Sequence, residues 1–449
     1  MAIWLRAHAL LGLIVLVTGV LLCPGPSRAV ETAASDGDVD AVMREAVREV
    51  GAPGAAWVVV EKDGTVREGA TGVDGHGSPF GPDSPVLVGS VSKPIAATVA
   101  VRLADQGTLD LDAPVVQVLP EFAGEDQRRA HVTLRHLLAH TGGLPFGADR
   151  LDVDDPARTP ASVVAETADT PLEGDPGQTY RYSSLGYVVV AAVLERATGR
   201  SLGDLANETF PQAHLVTDPG SIPPGYRSPW SPVAQPAPRD GAGAGYGYLG
   251  GSARSLAEVG RAMLADPERL RRMTDVSPAD GAVTGLGWRV SAAADGPVVW
   301  HTGTVPGSFT ALFLEPEQGR VAAVTLPVSG VMDEERLYAA AHRLLDVAGG
   351  DVPTEIPPPT LRWGVLGGLG LVGVVACALL TRGRLMRVCG IVLALTPLAL
   401  MIAAPPLLDV PLRYLWLWVP EVPVGVGLVL VAATITLVTG VVVRHGQAG

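Results

Sequence analysis

The stretch Gly89-Ser90-Val91-Ser92-Lys93-Pro94-Ile95-Ala96-Ala97 (GSVSKPIAA) holds Lys93, one of only two lysines, with Lys62, in a chain of 449 residues whose other 31 basic residues are arginine. Where a plain positive charge suffices, this chain uses arginine. Pro94 lacks an N–H and is tolerated only in the first turn of a helix, which predicts a helix starting close to Ser90 or Val91. Ser90 would then sit at a helix N-terminus, where its N–H has no intrahelical partner and the dipole favours developing negative charge. Residues three apart share a helix face, so the Lys93 amine can reach Ser90 Oγ. An amine acts as a base only when neutral, a state that burial and nearby positive charge bring to lysine but never to arginine.

Ser-x-x-Lys alone is a common chance pattern in which the lysine is a solvated surface residue. Two further motifs follow in order: Tyr182-Ser183-Ser184 within GQTYRYSSLGY, and His301-Thr302-Gly303 after PVVW. With these the chain resembles the penicillin-recognising serine hydrolases, in the branch of class C β-lactamases, D-alanyl-D-alanine carboxypeptidases and esterases. The resemblance runs from about Gly51 to Gly349. It includes GTLDLDAPVVQVLPEF (Gly107 to Phe122), TLRHLLAHTGGL (Thr133 to Leu144), GLGW (Gly285 to Trp288) and HTGTVPGS (His301 to Ser308).

The resemblance implies that Ser90 is the acylated nucleophile, Lys93 the base or proton relay and Tyr182 a phenol that shuttles protons. It also implies an oxyanion hole of the Ser90 and Thr304 N–H groups, with Ser184, His301, Thr302 and Gly303 lining the substrate site and Thr302 hydrogen-bonding the substrate. A phenol near two cations is expected to have its pKa lowered towards the range useful for general base work. Two positions depart from the family pattern. Ser184 stands where many members have an asparagine that contacts a substrate amide and the lysine, and His301 stands where strong penicillin binders often carry lysine. Both lean away from efficient β-lactam hydrolysis, because a histidine is mostly neutral at pH 7.

Around these motifs the pattern predicts a helix at Asp38 to Val50 and a β-hairpin, Ala56 to Glu61 and Thr65 to Glu68, turning at Lys62-Asp63-Gly64. Helical spacing follows at Ile95 to Gln106, Leu134 to His140, Ala161 to Ala168 and Tyr187 to Ala197. Thr217 to Gly251 is dense in Pro and Gly and reads either as an ordered functional loop or as a flap. Strand-like runs return at Gly287 to Val290, Val298 to His301, Phe309 to Leu314 and Arg320 to Leu326, before a helix from Glu334 to Val347. The result is an α+β chain: an antiparallel sheet flanked by helices, with an inserted helical subdomain and the β-lactamase/transpeptidase-like fold that the resemblance implies.

Both ends of the chain are apolar. Residues 1–29 read as a secretory signal, with an apolar core from Ala9 to Cys23 and small residues before the break after Ala29. Cys23 is a poor lipoprotein site because Leu22 precedes it. Residues 30–350 form the hydrolase domain and 351–361 a Pro-rich, stiff linker. Residues 362–449 hold three uncharged stretches, Trp363 to Leu380, Val388 to Leu408 and Val422 to Val443, each long enough to cross a bilayer. Arg382, Arg384 and Arg387 fill the first connection and Arg444 follows the last span, whereas the second holds Asp409, Glu421 and the aromatics Tyr414, Trp416 and Trp418. The positive-inside rule then puts the hydrolase domain outside, where a secretory signal would also send it. Spans without charged side chains favour anchoring over an ion pathway.

A formal net charge of −13, with no basic run, argues against nucleic acid as a partner. The partners expected are a small-molecule or peptide substrate and the membrane, with no cofactor implied. Cys377 and Cys389 lie in the apolar C-terminal stretches, so the hydrolase domain has no thiol for a disulfide or metal. His136 and His140 share a helical face but lack the adjacent glutamate of His-Glu-x-x-His, and read as structural. There is no Gly-x-Ser-x-Gly elbow, and Gly241 to Gly251 lacks the strand and Gly-Lys-Ser/Thr ending of a phosphate cradle. The expectation is a membrane-tethered extracytoplasmic serine hydrolase with a Ser90 acyl-enzyme. The alternative is a non-catalytic cell-wall or ligand-binding module coupled to the membrane helices.

Overall fold

The structure is a computed structural model that describes residues 39–231, 233–275, 285–293, 295–407 and 410–446. The signal segment and Cys23 lie outside the described residues, as does Asp409. The chain divides into two units. One comprises Thr32–Ser329 with Glu334–Pro357, and the other includes Gly330–Asp333 and Pro358–Gly449.

The first unit is built on a six-stranded antiparallel sheet in the order β2-β1-β8-β7-β6-β5, with β3 (Val86–Leu87) and β4 (Gly250–Gly251) paired in a separate two-stranded sheet. β1 (Gly54–Val60) and β2 (Val66–Gly72) form the expected hairpin, closed by Val60 opposite Val66. β5 (Arg289–Ser291), β6 (Val298–Val305), β7 (Ser308–Glu315) and β8 (Arg320–Leu326) come from the far end of the chain. β6 runs four residues past the end expected from sequence, because Pro306-Gly307 makes a two-residue turn, with Gly307 at φ +98°, that pairs Val305 with Ser308. His301-Thr302-Gly303-Thr304 is therefore mid-strand and not at a strand end.

β1, β7 and β8 are buried along almost their whole length because both faces of the sheet are covered. Trp57, Val59, Phe309, Phe313 and Val324 face α1 (Val39–Val50) and α9 (Glu334–Gly349). Val58, Val60, Leu312 and Ala323 face the helical block. That block, inserted between β2 and β5, comprises α2 (Ser92–Asp105), α3 (Leu134–Leu138), α4 (Pro160–Ala165), α5 (Ser184–Thr198), α6 (Leu202–Thr209), α7 (Ala253–Leu264) and α8 (Pro267–Thr274). Most of α2 is buried on every side, so it is the hub on which sheet and helices meet. Residues from Asp351 to Pro357 lie against this unit: Arg343 and Arg336 donate to the Thr354 and Pro357 carbonyls, and Ile356 is buried beside α9.

The second unit carries three helices long and apolar enough to cross a membrane, Thr360–Leu380, Arg384–Leu407 and Glu421–Gly440. Small residues bring them together, Gly373 against Val429 and Gly390 against Leu379 and Leu380. Arg362 and Asp333, both buried, form an ion pair of 2.7 Å in this unit.

Candidate active site

The helix that carries Ser90 begins as one tight 3₁₀ turn, Gly89–Val91, and continues as α2 from Ser92, so Ser90 occupies the first turn as its sequence requires. The turn is fastened from three sides. Val88 N–H donates to the Leu249 carbonyl at 2.8 Å, and Ser308 and Thr310 hydroxyls donate to the Leu87 and Val88 carbonyls at 2.7 Å. It lies directly on β6. Gly89 has φ +56°, and a methyl group there would lie 2.5 Å from Thr304 N, while one on Gly303 would lie 2.8 Å from Ser90 N. Two glycines thus allow the backbone contact that brings the Ser90 and Thr304 amides to one place. In Gly303→Ala the two backbones must separate, and acylation of Ser90 is expected to slow about 10²-fold or more, the scale of losing one oxyanion donor. A stopped-flow acylation rate equal to wild type in a normally folded variant would contradict this.

Lys93 is fully buried. Its Nζ is hydrogen-bonded with Ser90 Oγ at 2.9 Å and donates to the Tyr246 carbonyl at 3.0 Å. Burial, reinforced by the charge of Arg289 and opposed by Asp152, holds the amine well below its usual range. Burial thus favours the uncharged amine, the form in which lysine can act as a base. Tyr246 is itself fixed, its hydroxyl donating to Asp240 Oδ2 at 2.8 Å and accepting the Asp152 N–H at 2.9 Å. The loop from Thr217 to Gly251 is thus ordered at its C-terminal end, with Tyr246, Tyr248 and Leu249 in the core.

Tyr182 OH donates to Ser90 Oγ at 2.8 Å, closing a Lys93–Ser90–Tyr182 cluster. Its position follows from the next residue: Ser183 caps α5, accepting the Gly186 N–H at 2.9 Å and donating to the Pro145 carbonyl. The expected lowering of the Tyr182 pKa is not found. Burial pushes the phenol above 10, and the Ser90 hydrogen bond and Arg289 offset this only in part. The reason is burial, which disfavours the phenolate more than the Ser90 hydrogen bond and Arg289 favour it. His140 supports the ring, with centroids 4.4 Å apart, and its Nδ1 accepts the Ser183 N–H at 3.1 Å. His136 accepts the Thr133 N–H in the capping box of α3, so both histidines have structural employment.

On β6, His301 is buried, and its Nδ1–H donates to the Thr302 carbonyl at 2.6 Å. Burial, with Arg289 and Lys93 nearby, holds the imidazole well below its usual range, hence neutral. Ser184 is the first residue of α5 and makes no side-chain hydrogen bond among the described residues. The second contact of Lys93 is the Tyr246 carbonyl. Thr304 Oγ1 donates to Glu334 Oε1 at 3.2 Å, and burial raises that carboxyl to about 7. Arg289 extends along the edge beside β6, its guanidinium 5.8 Å from the Tyr182 ring centre and 5.4 Å from that of Trp300.

Tyr246, His140, Glu334 and Arg289 were not found from sequence as parts of this site. Arg289 directly follows the GLGW motif, and that adjacency was the one available signal; the other three reach the site only through tertiary folding.

Residues 39–345 match the family model described as Beta-lactamase. Esterase EstB of Burkholderia gladioli is 35% identical over 200 residues, 41% of this chain and 51% of that protein. Penicillin-binding protein 4 of Amycolatopsis lactamdurans is 38% identical over 155 residues, 34% of this chain and 40% of the relative. The chain therefore spans about half or less of the length of these relatives. Among solved structures, the D-amino acid amidase of Ochrobactrum anthropi SV3, complexed with L-phenylalanine amide, superposes with a TM-score of 0.59 at 18% identity, covering 70% of this chain and 100% of the amidase. A D-stereospecific amidohydrolase from Streptomyces sp. gives 0.56 at 24% identity, covering 67% and 98%. With the family model matched across the whole sheet and helical block, the chain belongs to the Beta-lactamase family of serine hydrolases.

Proposed function

We propose that this chain is a membrane-anchored, extracytoplasmic serine hydrolase that works through an acyl-enzyme on Ser90, on ester, amide or β-lactam-type carbonyls. The observation that carries the reading is a serine bonded at 2.9 Å to a fully buried lysine, whose pKa burial lowers, and at 2.8 Å to a tyrosine. Neutral Lys93 takes the Ser90 proton as Oγ attacks the carbonyl, and the Ser90 and Thr304 amides receive the oxyanion. The tetrahedral intermediate collapses to the acyl-enzyme as the leaving group takes a proton through the Tyr182 phenol, which burial keeps protonated. Water activated by the same cluster then releases the acyl group.

The names of the relatives, esterase, penicillin-binding protein and D-amino acid amidase, all fit acyl transfer from a small carbonyl compound. Ser184 and His301 favour esters over β-lactams. The outward placement rests on the arginines flanking the apolar helices and on the N-terminal segment. A fluorophosphonate probe is expected to label Ser90 and to leave Ser90→Ala unlabelled. Equal labelling of the two would sink the mechanism, while a fluorescent penicillin and a panel of chromogenic esters, run alongside, separate binder, β-lactamase and esterase.

A further inference from the structure

We propose that Glu334 is a positioning residue for the oxyanion site, holding Thr304 in place and supporting acylation of Ser90 while its carboxyl is uncharged. This rests on the Ser90 acyl-enzyme reading and names a control on that same site.

Of the two oxyanion donors, the Ser90 amide is held by a helix turn fastened from three sides, whereas the Thr304 amide depends on where β6 lies. β5 pairs with β6 only from Val298 to Trp300, so past Trp300 β6 has, among the described residues, a strand on one side alone, β7. α9 supplies the further hold. Trp300 and Thr304 share a face of β6 by the period-two alternation, and Glu334 and Tyr338 share a face of α9. The Tyr338 ring lies 5.4 Å from that of Trp300, and Glu334 Oε1 accepts the Thr304 hydroxyl at 3.2 Å. The first turn of α9 is therefore docked on β6 at two points, and one of them is the oxyanion residue itself.

Charge on that carboxyl opposes the reaction. Negative charge develops at the Thr304 N–H, in the same residue whose hydroxyl Glu334 holds, so a carboxylate there raises the barrier, whereas the neutral acid keeps the hydrogen bond without the charge. The surroundings admit both forms. β7 and β8 turn apolar side chains towards α9, and burial brings the carboxyl to about 7. Arg289 on β5 favours the anion, Tyr182 lies within its field, and His301 on β6 is held well below its usual range. The other charges around α9 are engaged elsewhere or exposed. Glu335 faces solvent, Arg336 donates to the Pro357 and Glu49 carbonyls, Arg343 meets Glu49 of α1, and His342 meets Asp346. Asp333, the preceding residue, is paired with Arg362. Acylation should therefore fall above about pH 7, a limb that Lys93 cannot cause, because loss of its proton raises the rate.

The test follows acylation of the full chain by an uncharged chromogenic ester, in stopped flow, across the neutral and alkaline range. Glu334→Gln keeps an acceptor for the Thr304 hydroxyl and cannot ionise. In it the alkaline fall is expected to vanish, so that the ratio of the rate at about pH 9 to that at about pH 6 rises about 10-fold over the wild-type ratio. Glu334→Ala loses the charge and the acceptor together, and is expected to acylate about 5-fold more slowly than Glu334→Gln at both pH values. A fall that is absent from the wild type, or that persists in Glu334→Gln, overturns the proposal. So does a folded Glu334→Ala as fast as Glu334→Gln, which would leave Glu334 no part in positioning. Fluorophosphonate labelling of the same preparations, with Ser90→Ala as the control, tests the underlying acyl-enzyme reading separately, because it asks which residue is modified and not how the rate varies with pH.

Discussion

Replacing Lys93 with arginine is expected to slow acylation of Ser90 by about 10³-fold or more, even though the positive residue is nominally conserved. In the proposed mechanism Lys93 acts as a base because burial favours its uncharged form, whereas a guanidinium has no accessible neutral form. A buried arginine would also bring an uncompensated charge between Tyr182 and Tyr187, so the variant is expected to melt lower than wild type. Lys93→Met separates chemistry from folding. It is expected to be equally inactive yet more stable than wild type at pH 7. Lysine 93 has a folded pKa below its unfolded value of 10.5, so the unfolded chain binds more protons and wild-type stability rises with pH up to about that value. The advantage of Lys93→Met should therefore shrink as pH approaches 10. Thermal melts at pH 7 and 9.5 check the sign, and an active Lys93→Arg enzyme would remove Lys93 from the mechanism.

Tyr182→Phe is expected to cost about 10²- to 10⁴-fold in kcat, the range for loss of a positioned proton donor. The phenyl ring keeps its stacking on His140 and its place beside the Ser183 cap, so the change removes one oxygen and little else. The pH profile tells what kind of group is lost. Activity needs neutral Lys93 and is lost as pH falls through its lowered pKa, whereas the phenol, pushed above 10, stays protonated throughout the working range. The acid limb of kcat/KM should therefore stay in place in Tyr182→Phe while the plateau drops. Measuring both enzymes in a Glu334→Gln background removes the carboxyl that titrates at about 7. A shift of the acid limb, or a plateau equal to wild type, would show that Tyr182 does not relay the proton.

The Ser90–Lys93–Tyr182 cluster was legible because it is tied to local chemistry: Pro94 fixes a helix start, three-residue spacing fixes a face, and the order of three motifs fixes the family. The hairpin and the returning strands were legible from turn residues and β-branched runs. Distance in the chain hid the rest. Tyr246 reaches Lys93 through a carbonyl, which every residue type possesses, so no side chain advertises it. The state of Tyr182 depended on how deeply the phenol is buried, which only the folded helical block settles. The full length of β6 depended on a two-residue turn at Pro306-Gly307 closing a ladder whose partner strand lies beyond it.

That carbonyl has a consequence for how the site can vary over time. An asparagine side chain holding the lysine could be deleted by a single substitution, but a main-chain oxygen cannot, whatever residue replaces Tyr246. The Tyr246 anchor of Lys93 is thereby insulated from the identity of the side chain at that position.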